Sequence, residues 1–473
     1  MFVGREKELD KLNSLLCRDI ASLVVIKGRR RIGKSRLIKE FAKPFKTYNF
    51  MGLAPEPDTT AQMQRDEFAR YLRQHCLVPS AVTKDWGDLF TMLAQQTVQG
   101  RVIIVFDEIS WMAHKDITFL GKLKSIWDLY FSQNSELILI LCGSVSSWIE
   151  KNILRNTGYL GRPTLQMTIN ELALNYCNMF WKNNTNISNF EKLKILSITG
   201  GVPRYLELID PQLSAEDNIK KLCFDPDSPL FEEFKYIFSD IYGKRSATYQ
   251  AIVSTLCEGK ATRDQIIIRV GFVSGGDVSD YLEELEIGGF IARDYTWSVQ
   301  TKKESSLSYY RLSDNYTRFY LKYIFTNKNK IKSGQFEEVS INNLPGWNSI
   351  LGLQFENLVV NNQNKLIQLL KIRPEDIIVA NPFFQRSTKK QPGCQVDYMI
   401  QTKHDVLYIC EIKFSIKPLS IDIIAEVQTK INNMQVPKHI SRRTVLVHVN
   451  GVSDEVIDAD YFCAIVDFGK FLD

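Results

Sequence analysis

The stretch SLVVIKGRRRIGKSRLIKEF, residues 22–41, decides the fold of the first part of the chain. The apolar run SLVVIK is typical of a buried strand, and SRLIKEF has the spacing of a helix. The turn between them has the pattern G-x4-G-K-S, whose glycines let backbone N–H groups point at phosphate oxygens. The lysine of this pattern reaches the β- and γ-phosphates of ATP, and its serine hydroxyl ligates Mg²⁺. The residues expected to contact the nucleotide here are Gly28, Gly33, Lys34, Ser35 and Arg36.

A second apolar run, VIIVFDEIS at 102–110, ends in two acidic residues. Beside a phosphate-binding loop, Asp107 would hold Mg²⁺ through water and Glu108 would polarise the attacking water. A third run, ELILILCGS, ends at Ser144, whose side chain either senses the γ-phosphate or belongs to an ordinary turn. These motifs predict an ATP-hydrolysing site.

The same runs also predict the fold class. Buried strands alternating with helices indicate an α/β parallel sheet that is covered on both faces. The strand signal then fades into a helical lid, and next come three helices and two short strands, which is winged-helix order. A polar, basic segment predicts a linker, and a second α/β unit follows it. The predicted boundaries are 1–165 for the P-loop core, 166–243 for the lid, 244–325 for the winged helix, 326–345 for the linker and 346–473 for the last domain.

Composition limits the class of protein. The chain has 473 residues, of which 44% are hydrophobic and 24% charged, as expected of a globular protein of several domains. The net charge of +5 does not by itself imply a polyanionic partner. The nine cysteines are scattered without metal-ligand spacing, which indicates a reducing compartment. The start of the chain has no apolar signal core, and no apolar run is long enough to span a bilayer. We therefore expect a cytoplasmic protein without a membrane partner.

The order of six segments resembles one family. FVGRE, GRRRIGKS, FDEI, CGSVSSWIEK, LGRPTL and GGVPRYLE are similar in kind and order to the archaeal-type STAND ATPases, a branch of the AAA-like P-loop NTPases. The resemblance extends over about residues 1–325. Members of this family are usually nucleotide-driven switches rather than fast motors. The resemblance therefore implies a switch that a homo-oligomer or a protein trigger could operate.

The same resemblance implies additional nucleotide contacts. Phe2 and Val3, in FVGRE, would line the adenine pocket. Arg162 matches an arginine that contacts the γ-phosphate, in cis or from a neighbouring subunit, although a surface salt bridge is the alternative. Gly201 and Pro203 match the lid element that packs on the base, although a helix-starting turn is the alternative.

The winged helix has an unfavourable recognition helix for DNA. The candidate, GGDVSDYLEELEIGG, contains no Lys or Arg, and DNA would repel its acidic residues. A packing or hinge role is favoured, and the basic KNKIK that follows the domain is the better DNA contact. The acidic residues are Asp277, Asp280, Glu283, Glu284 and Glu286.

A charged pair interrupts the apolar strand VLYICEIKFS near the C-terminus. In a strand, Glu411 and Lys413 point to the same face. The same spacing occurs at 233–235, but there it lies in a helical stretch and means little. A preceding strand contains Asp397, and a loop of three residues, 403–405, would place Asp397 opposite Glu411. A loop of two or four residues would turn Asp397 to the other face.

With Glu356 on an upstream helix, this arrangement resembles the PD-(D/E)xK nuclease core over about residues 346–450. The resemblance implies that Asp397 and Glu411 bind Mg²⁺ or Mn²⁺, that Lys413 orients the attacking water, and that Glu356 completes the site. Gln428 matches a polar position of some members, whereas the proline usual before the aspartate is absent. The domain has 14 basic and 14 acidic residues from 346 onward, so any DNA groove must be local, near RSTKK or KHISRR.

The predicted function is an ATP-binding and ATP-hydrolysing switch that controls a Mg²⁺- or Mn²⁺-dependent nuclease acting on nucleic acid, with DNA expected. The alternative is a nucleotide-dependent regulatory or scaffold protein with an inert nuclease-like domain. A transcription regulator that acts through the winged helix ranks third because of its acidic helix.

Overall fold

The structure, a computed structural model, divides the chain into two compact units. It describes residues 2–76, 83–182, 186–272, 276–336, 338–389 and 391–473, with only the backbone at 240, 242, 244, 276 and 277. The first unit comprises Met1–Glu171 and Tyr236–Ser246, and the second comprises Leu172–Lys235 and Ala247–Asp473.

The first unit contains a parallel five-stranded sheet in the order β2-β3-β4-β1-β5. Its strands are β1 (Ser22–Lys27), β2 (Lys46–Met51), β3 (Val102–Asp107), β4 (Ile138–Gly143) and β5 (Pro163–Thr168). The three central strands are almost wholly buried Val, Ile, Leu and Phe, as expected of a parallel sheet with helices on both faces. Its helices are α1 (Glu6–Asn13), α2 (Lys34–Ala42), α3 (Ala61–Cys76), α4 (Trp86–Gln95), α5 (Ile109–Met112), α6 (Phe119–Leu129) and α7 (Ser146–Ile149).

The sequence predicted the three central strands, and the structure confirms them. It did not predict β2 and β5, which form the two edges of the sheet. β2 alternates exposed or half-exposed residues with buried ones, and β5 has one buried residue, Met167, so neither has a continuous run of buried apolar residues.

The second unit begins with the helices that were predicted as a lid. They are α8 (Leu174–Asn178), α9 (Asn189–Thr199), α10 (Pro203–Leu206), α11 (Ala215–Cys223) and α12 (Glu233–Tyr242). The boundary between the two units falls within α12. The prediction of a helical region is confirmed.

The next elements are three helices followed by two strands, the order that the sequence predicted. The elements are α13 (Ser246–Thr255), α14 (Arg263–Val270), α15 (Gly276–Ile287), β6 (Ile291–Trp297) and β7 (Glu304–Leu312). A single antiparallel bridge joins Ala261, which precedes α14, to Tyr310 in β7. The antiparallel pair β6–β7 forms the wing.

The predicted linker at 326–345 is wrong in its first part. Helix α16 (Asn315–Phe319) is followed by α17 (Phe325–Lys332), so the polar segment is helical. Four apolar side chains spaced along the segment are buried: Ile331, Phe336, Ile341 and Leu344. These apolar residues are too widely spaced in a polar sequence to give a periodic signal, but their burial packs the segment within the second unit.

The last domain contains a mixed five-stranded sheet in the order β12-β11-β10-β9-β8. Its strands are β8 (Ile377–Gln385), β9 (Cys394–Thr402), β10 (Val406–Ile412), β11 (Ser441–His448) and β12 (Ala464–Asp467). The first three are antiparallel and the last three parallel. Its helices are α18 (Trp347–Asn361), α19 (Gln363–Leu369), α20 (Asp422–Asn433), α21 (Asp454–Asp458) and α22 (Gly469–Leu472).

The wing and the C-terminal sheet share one hydrophobic core. Trp297 and Val299 of the wing are buried in the same cluster as Val396, Met399 and Leu407 of the sheet. Trp297 Nε1 donates a hydrogen bond of 2.7 Å to Gln401 Oε1. The winged helix and the last domain are therefore packed together.

Among the helices that the structure describes, none combines the length and the apolar character that crossing a membrane requires.

Candidate functional site

The hairpin β9–β10 has the register that the sequence predicted. Gln401 pairs with Leu407, and Tyr398 with Cys410, so the connecting loop has three residues. Asp405, the last of them, has φ 53°, a conformation common at the end of such hairpin loops. In this register Asp397 and Glu411 occupy opposite positions of the two strands. The prediction of a three-residue loop is confirmed.

Lys430 of α20 lies between these two carboxylates. Its Nζ is 2.5 Å from Glu411 Oε2 and 4.0 Å from Asp397 Oδ1. The other oxygen of Asp397 accepts a hydrogen bond of 2.8 Å from the backbone N–H of Ile412. Lys430 was not predicted from the sequence, because it reaches the two carboxylates from a separate helix by tertiary packing.

The expected Lys413 is near the carboxylates but bonded elsewhere. Its Nζ pairs with Glu426 of α20. Gln428 also bonds outside the pair, because its side chain donates to Asn432 and accepts from the Tyr461 hydroxyl. Of the two motif residues, Glu411 on β10 and Lys413 just after its end, only Glu411 therefore contacts Lys430.

Glu356 of α18 interacts electrostatically with Asp397 of this pair. Burial and the charge of Asp397 raise the pKa of Glu356 to about 7, against the opposing effect of Lys260 and Arg311. Burial and the same aspartate raise the pKa of Glu411 to about 7. We call Glu356, Asp397 and Glu411 the carboxylate site.

The carboxylate site fits a divalent cation in part. Two facing carboxylates are a donor set that suits Mg²⁺, which often uses one or two carboxylates together with water and substrate phosphate. The ammonium of Lys430 lies against both, which marks a place where positive charge is stabilised. Within the residues that the structure describes, no three His, Cys, Asp or Glu side chains form a metal-binding group.

The other candidate DNA contacts are only partly described. Arg442 and Arg443 of KHISRR and Lys389 of RSTKK are exposed, whereas Lys390 lies outside the described residues. In the recognition helix, the side chain of Asp277 also lies outside them.

The phosphate-binding loop requires its two glycines. A Cβ on Gly28 would lie 2.4 Å from the carbonyl oxygen of Ile169, which is part of the backbone. Gly33 has φ 92° and caps the start of α2. Gly28 is therefore required because a side chain would collide with the backbone, and Gly33 because its backbone has a left-handed conformation.

The side chain of Ser35, in the phosphate-binding loop, meets the end of β3. Ser35 Oγ donates a hydrogen bond of 2.7 Å to Asp107 Oδ2. Lys34 Nζ donates to the carbonyl oxygens of Gly28 and Arg29, at 2.8 and 2.9 Å. A hydroxyl and a carboxylate oxygen in contact, beside a buried ammonium, fit Mg²⁺ bound to the phosphates of a nucleotide.

Glu108 is held by the end of the neighbouring strand β4. It has φ 53°, and its Oε2 accepts hydrogen bonds of 2.9 Å from both the N–H and the hydroxyl of Ser144. Burial raises the pKa of Glu108, and the charge of Lys34 opposes the shift. The contact couples Ser144 to the residue that is predicted to polarise the attacking water.

A known family matches the first part of the chain. Residues 2–209 match the family described as "ATPase domain predominantly from Archaea". This segment is an archaeal-type ATPase domain.

Two relatives come from Methanocaldococcus jannaschii. The uncharacterized protein MJECL04 is 29% identical over 355 residues, which are 74% of this chain and 75% of that protein. The uncharacterized ATP-binding protein MJ0423 is 46% identical over 41 residues, which are 9% of this chain and 70% of that protein.

Two solved structures have weaker likeness. The Walker-type ATPase PABY2304 of Pyrococcus abyssi is 16% identical with a TM-score of 0.46, covering 68% of this chain and 96% of that one. The STAND protein PH0952 of Pyrococcus horikoshii, which has a tetratricopeptide repeat sensor, is 16% identical with a TM-score of 0.29, covering 78% and 56%. Scores this low carry no argument about function.

The N-terminal segment of the ATPase domain has a structural role that the sequence did not reveal. Arg5 is buried and donates to the carbonyl oxygens of Ile32, in the phosphate-binding loop, and Asn170, at 3.1 and 2.7 Å. Phe2 and Val3 are half-buried beside it, and their place in an adenine pocket stays a prediction.

Arg162 of the ATPase domain forms an ion pair in this structure. Its guanidinium donates two hydrogen bonds of 2.8 Å to Asp128 and one to the carbonyl of Gly158. The bond from Arg162 lowers the pKa of Asp128. This geometry is the salt-bridge alternative, so contact with a γ-phosphate would require the pair to open.

The remaining residues that were predicted to contact the nucleotide lie in different parts of the chain. Arg36 is exposed on α2. Gly201 and Pro203 belong to the second unit, where Pro203 is the first residue of α10 and the Gly201 carbonyl accepts a bond from Leu172. This is the helix-starting turn that was the alternative interpretation.

Proposed function

We propose that the protein is an ATP-binding and ATP-hydrolysing switch that controls a Mg²⁺- or Mn²⁺-dependent nuclease in its last domain. Nucleic acid, with DNA expected, is the substrate. The observation that carries the nuclease half is the pair of facing carboxylates, Asp397 and Glu411, with a cation against both.

The ATPase half assigns one role to each group of the first unit. Lys34 would turn from the loop carbonyls to the phosphates of the nucleotide. Ser35 and Asp107 would hold Mg²⁺, directly and through water. Glu108 would orient the attacking water, with Ser144 reporting the state of the γ-phosphate through its two bonds to the carboxylate. Arg162, once released from Asp128, would contribute positive charge at the same phosphate.

The nuclease half assigns metal binding to Asp397 and Glu411. A divalent ion there would polarise the phosphodiester and lower the pKa of a bound water. Glu356 would complete the site. Lys413 would exchange its bond to Glu426 for the attacking water or the phosphate.

The nuclease proposal is tested by incubating the full chain with DNA, Mn²⁺ and ATP. Wild type should degrade the DNA, and Lys413→Ala should lower the rate at least about tenfold, the effect expected of a residue that positions the reacting water. Lys417→Ala, at an exposed lysine on the same loop, is the matched control. Equal degradation by wild type and Lys413→Ala would contradict the assignment.

A second candidate function is a nucleotide-dependent regulator whose nuclease-like domain only binds. The observation that favours it is Lys430, whose ammonium already lies where a metal would be expected, while Lys413 is bonded to Glu426. Calorimetry with Mn²⁺ separates the two candidates. Affinity for Mn²⁺ that is lost in Asp397→Asn, but kept in the control Asp422→Asn at an exposed position, supports the nuclease. If wild type has no affinity for Mn²⁺, the regulator is supported.

A further inference from the structure

The winged helix places a buried lysine beside the carboxylate site. Lys260 directly precedes Ala261, whose N–H and C=O exchange hydrogen bonds of 3.0 and 2.8 Å with Tyr310. Thr262, the next residue but one, caps α14 with reciprocal bonds to Gln265. The backbone on the C-terminal side of Lys260 is therefore fixed.

The ammonium of Lys260 is buried without a hydrogen bond. Across the residues that the structure describes, its Nζ has no acceptor within bonding distance. It lies 5.5 Å from the ring centre of Phe384 and 5.8 Å from that of Tyr309, near the outer limit of a cation–π contact. These rings exclude water on one side but do not replace a hydrogen-bond acceptor.

Lys260 lies near three carboxylates, two of which belong to the predicted nuclease centre. Burial lowers the pKa of Lys260, and the charges of Glu356, Asp294 and Asp397 oppose the shift. Two of these three residues are members of the carboxylate site, yet none is hydrogen-bonded to Lys260. The ammonium is thus in the field of the site and free to bind an additional group.

An ion pair of the winged helix, Asp294 with Arg311, lies beside the same site. Asp294 of β6 accepts a hydrogen bond of 3.1 Å from Arg311 Nε, and Arg311 also donates to Asn357, the neighbour of Glu356 on α18. The second oxygen of Asp294, Oδ2, is buried and has no partner in the described part of the chain. Two buried polar atoms of opposite charge, both acting on Glu356, are therefore without hydrogen bonds.

Such an arrangement is unfavourable unless a ligand completes it. An ion pair that served stability alone would be expected to close directly, because an unpaired buried charge costs free energy. A phosphate oxygen would provide the acceptor that Lys260 lacks, and a phosphate-bound water would provide the donor that Asp294 lacks.

We infer that Lys260 is a further residue of the carboxylate site, where its ammonium contacts a phosphate of bound DNA. The inference rests on the proposed nuclease function and gives the winged helix a role that its acidic recognition helix does not supply. The winged helix would take part in binding through the segment that precedes α14, and not through α15.

The test measures binding of a fluorescent DNA duplex to the full chain with ATP and Ca²⁺, over a range of salt concentrations. Lys260→Met should weaken binding about tenfold on every DNA sequence and lower the slope of log affinity against log salt by about 1. Lys260→Arg, which keeps the charge, should keep most of the slope. Lys303→Met, at an exposed lysine of the wing turn, should leave both quantities unchanged.

The outcomes separate this inference from the proposed function. If wild type cleaves DNA with Mn²⁺ and Lys260→Met binds with an unchanged salt slope, the inference fails and the nuclease stands. If Lys260→Met lowers affinity and slope but wild type never cleaves, the inference stands and the nuclease fails. If wild type binds no DNA, both fail. A lower melting temperature with an unchanged slope would assign Lys260 a structural role only.

Discussion

The ammonium of Lys34 donates hydrogen bonds to carbonyl oxygens of its own loop, and these bonds allow the effect of replacing Lys34 to be predicted. Without nucleotide its ammonium is satisfied by two backbone carbonyls, so Lys34→Ala should leave the fold intact. ATP affinity should fall about 10- to 100-fold, because a hydrogen bond to a charged group contributes roughly 1.5–3 kcal/mol. Titration with a fluorescent ATP analogue measures this, with exposed Lys7→Ala as control. Unchanged affinity would remove the ATPase half of the proposal.

Glu356 should make stability depend on pH. The described charged groups that act on it are Asp397, Asp294, Lys260 and Arg311. Its pKa of about 7 in the folded protein exceeds the ordinary 4.5, so the fold favours the protonated form. The stabilising contribution is therefore complete below about pH 4.5 and is lost as the pH rises through 7.

Glu356→Gln mimics the protonated form at every pH. At pH 8 the free energy of unfolding of this variant should exceed that of wild type by up to about 3 kcal/mol, and the gap should close towards pH 5. Urea unfolding at pH 8, 6.5 and 5 measures it. Glu375→Gln, at an exposed carboxylate, should show no such trend. A variant less stable than wild type at pH 8 would mean that the ionised carboxylate is held by favourable contacts.

At the level of elements, one buried glutamine joins the wing to the C-terminal sheet. Gln401 of β9 accepts from Trp297 Nε1 at 2.7 Å and donates to the Val299 carbonyl at 2.9 Å. Gln401→Leu would leave two buried polar atoms without partners, so it should lower the free energy of unfolding by about 2–5 kcal/mol. Urea unfolding measures the loss, with exposed Gln300→Leu as control. A loss below about 0.5 kcal/mol, the range of surface changes, would mean that water replaces the glutamine.

Local patterns predicted the elements that have strong sequence signals. The strand–loop–helix at 22–41, the central strands and the register of β9–β10 follow from periodicity and loop length. The edge strands were missed because their apolar residues are interrupted by exposed ones.

The groups around the carboxylate site could be predicted only in part. Asp397 and Glu411 are set by one hairpin, whereas Lys430 and Lys260 arrive from distant elements by tertiary packing. A single sequence contains no signal for contacts of that separation. The bond between Lys413 and Glu426 was missed for the same reason, since the two residues lie on different elements.

At the scale of the whole molecule, the last domain depends on residues that precede it. Buried Gln354 and Asn357 of α18 bond to Arg318 and to the Leu312 carbonyl, each at 2.7 Å. The wing also contributes to the hydrophobic core of the C-terminal sheet. Residues 346–473 expressed alone would expose these surfaces.

We therefore expect residues 346–473 alone to lack a cooperative thermal transition and to bind a hydrophobic dye. Residues 172–473, which contain the whole second unit, should unfold cooperatively. Circular dichroism during heating compares the two. A sharp transition in the shorter chain would mean that the last domain folds independently.

The division of the chain has a consequence for its synthesis on the ribosome. The first unit is complete only once Ser246 has been made, because Tyr236–Ser246 belongs to it. The second unit is completed later, because Asn178 on its first helix donates a hydrogen bond to the carbonyl of Leu472, 294 residues further along the chain. At about 5–20 residues per second, α8 emerges roughly 15–60 s before its partner exists. Its apolar face is a target for chaperones during that interval, and protease digestion of stalled nascent chains would show whether it stays accessible until Leu472 emerges.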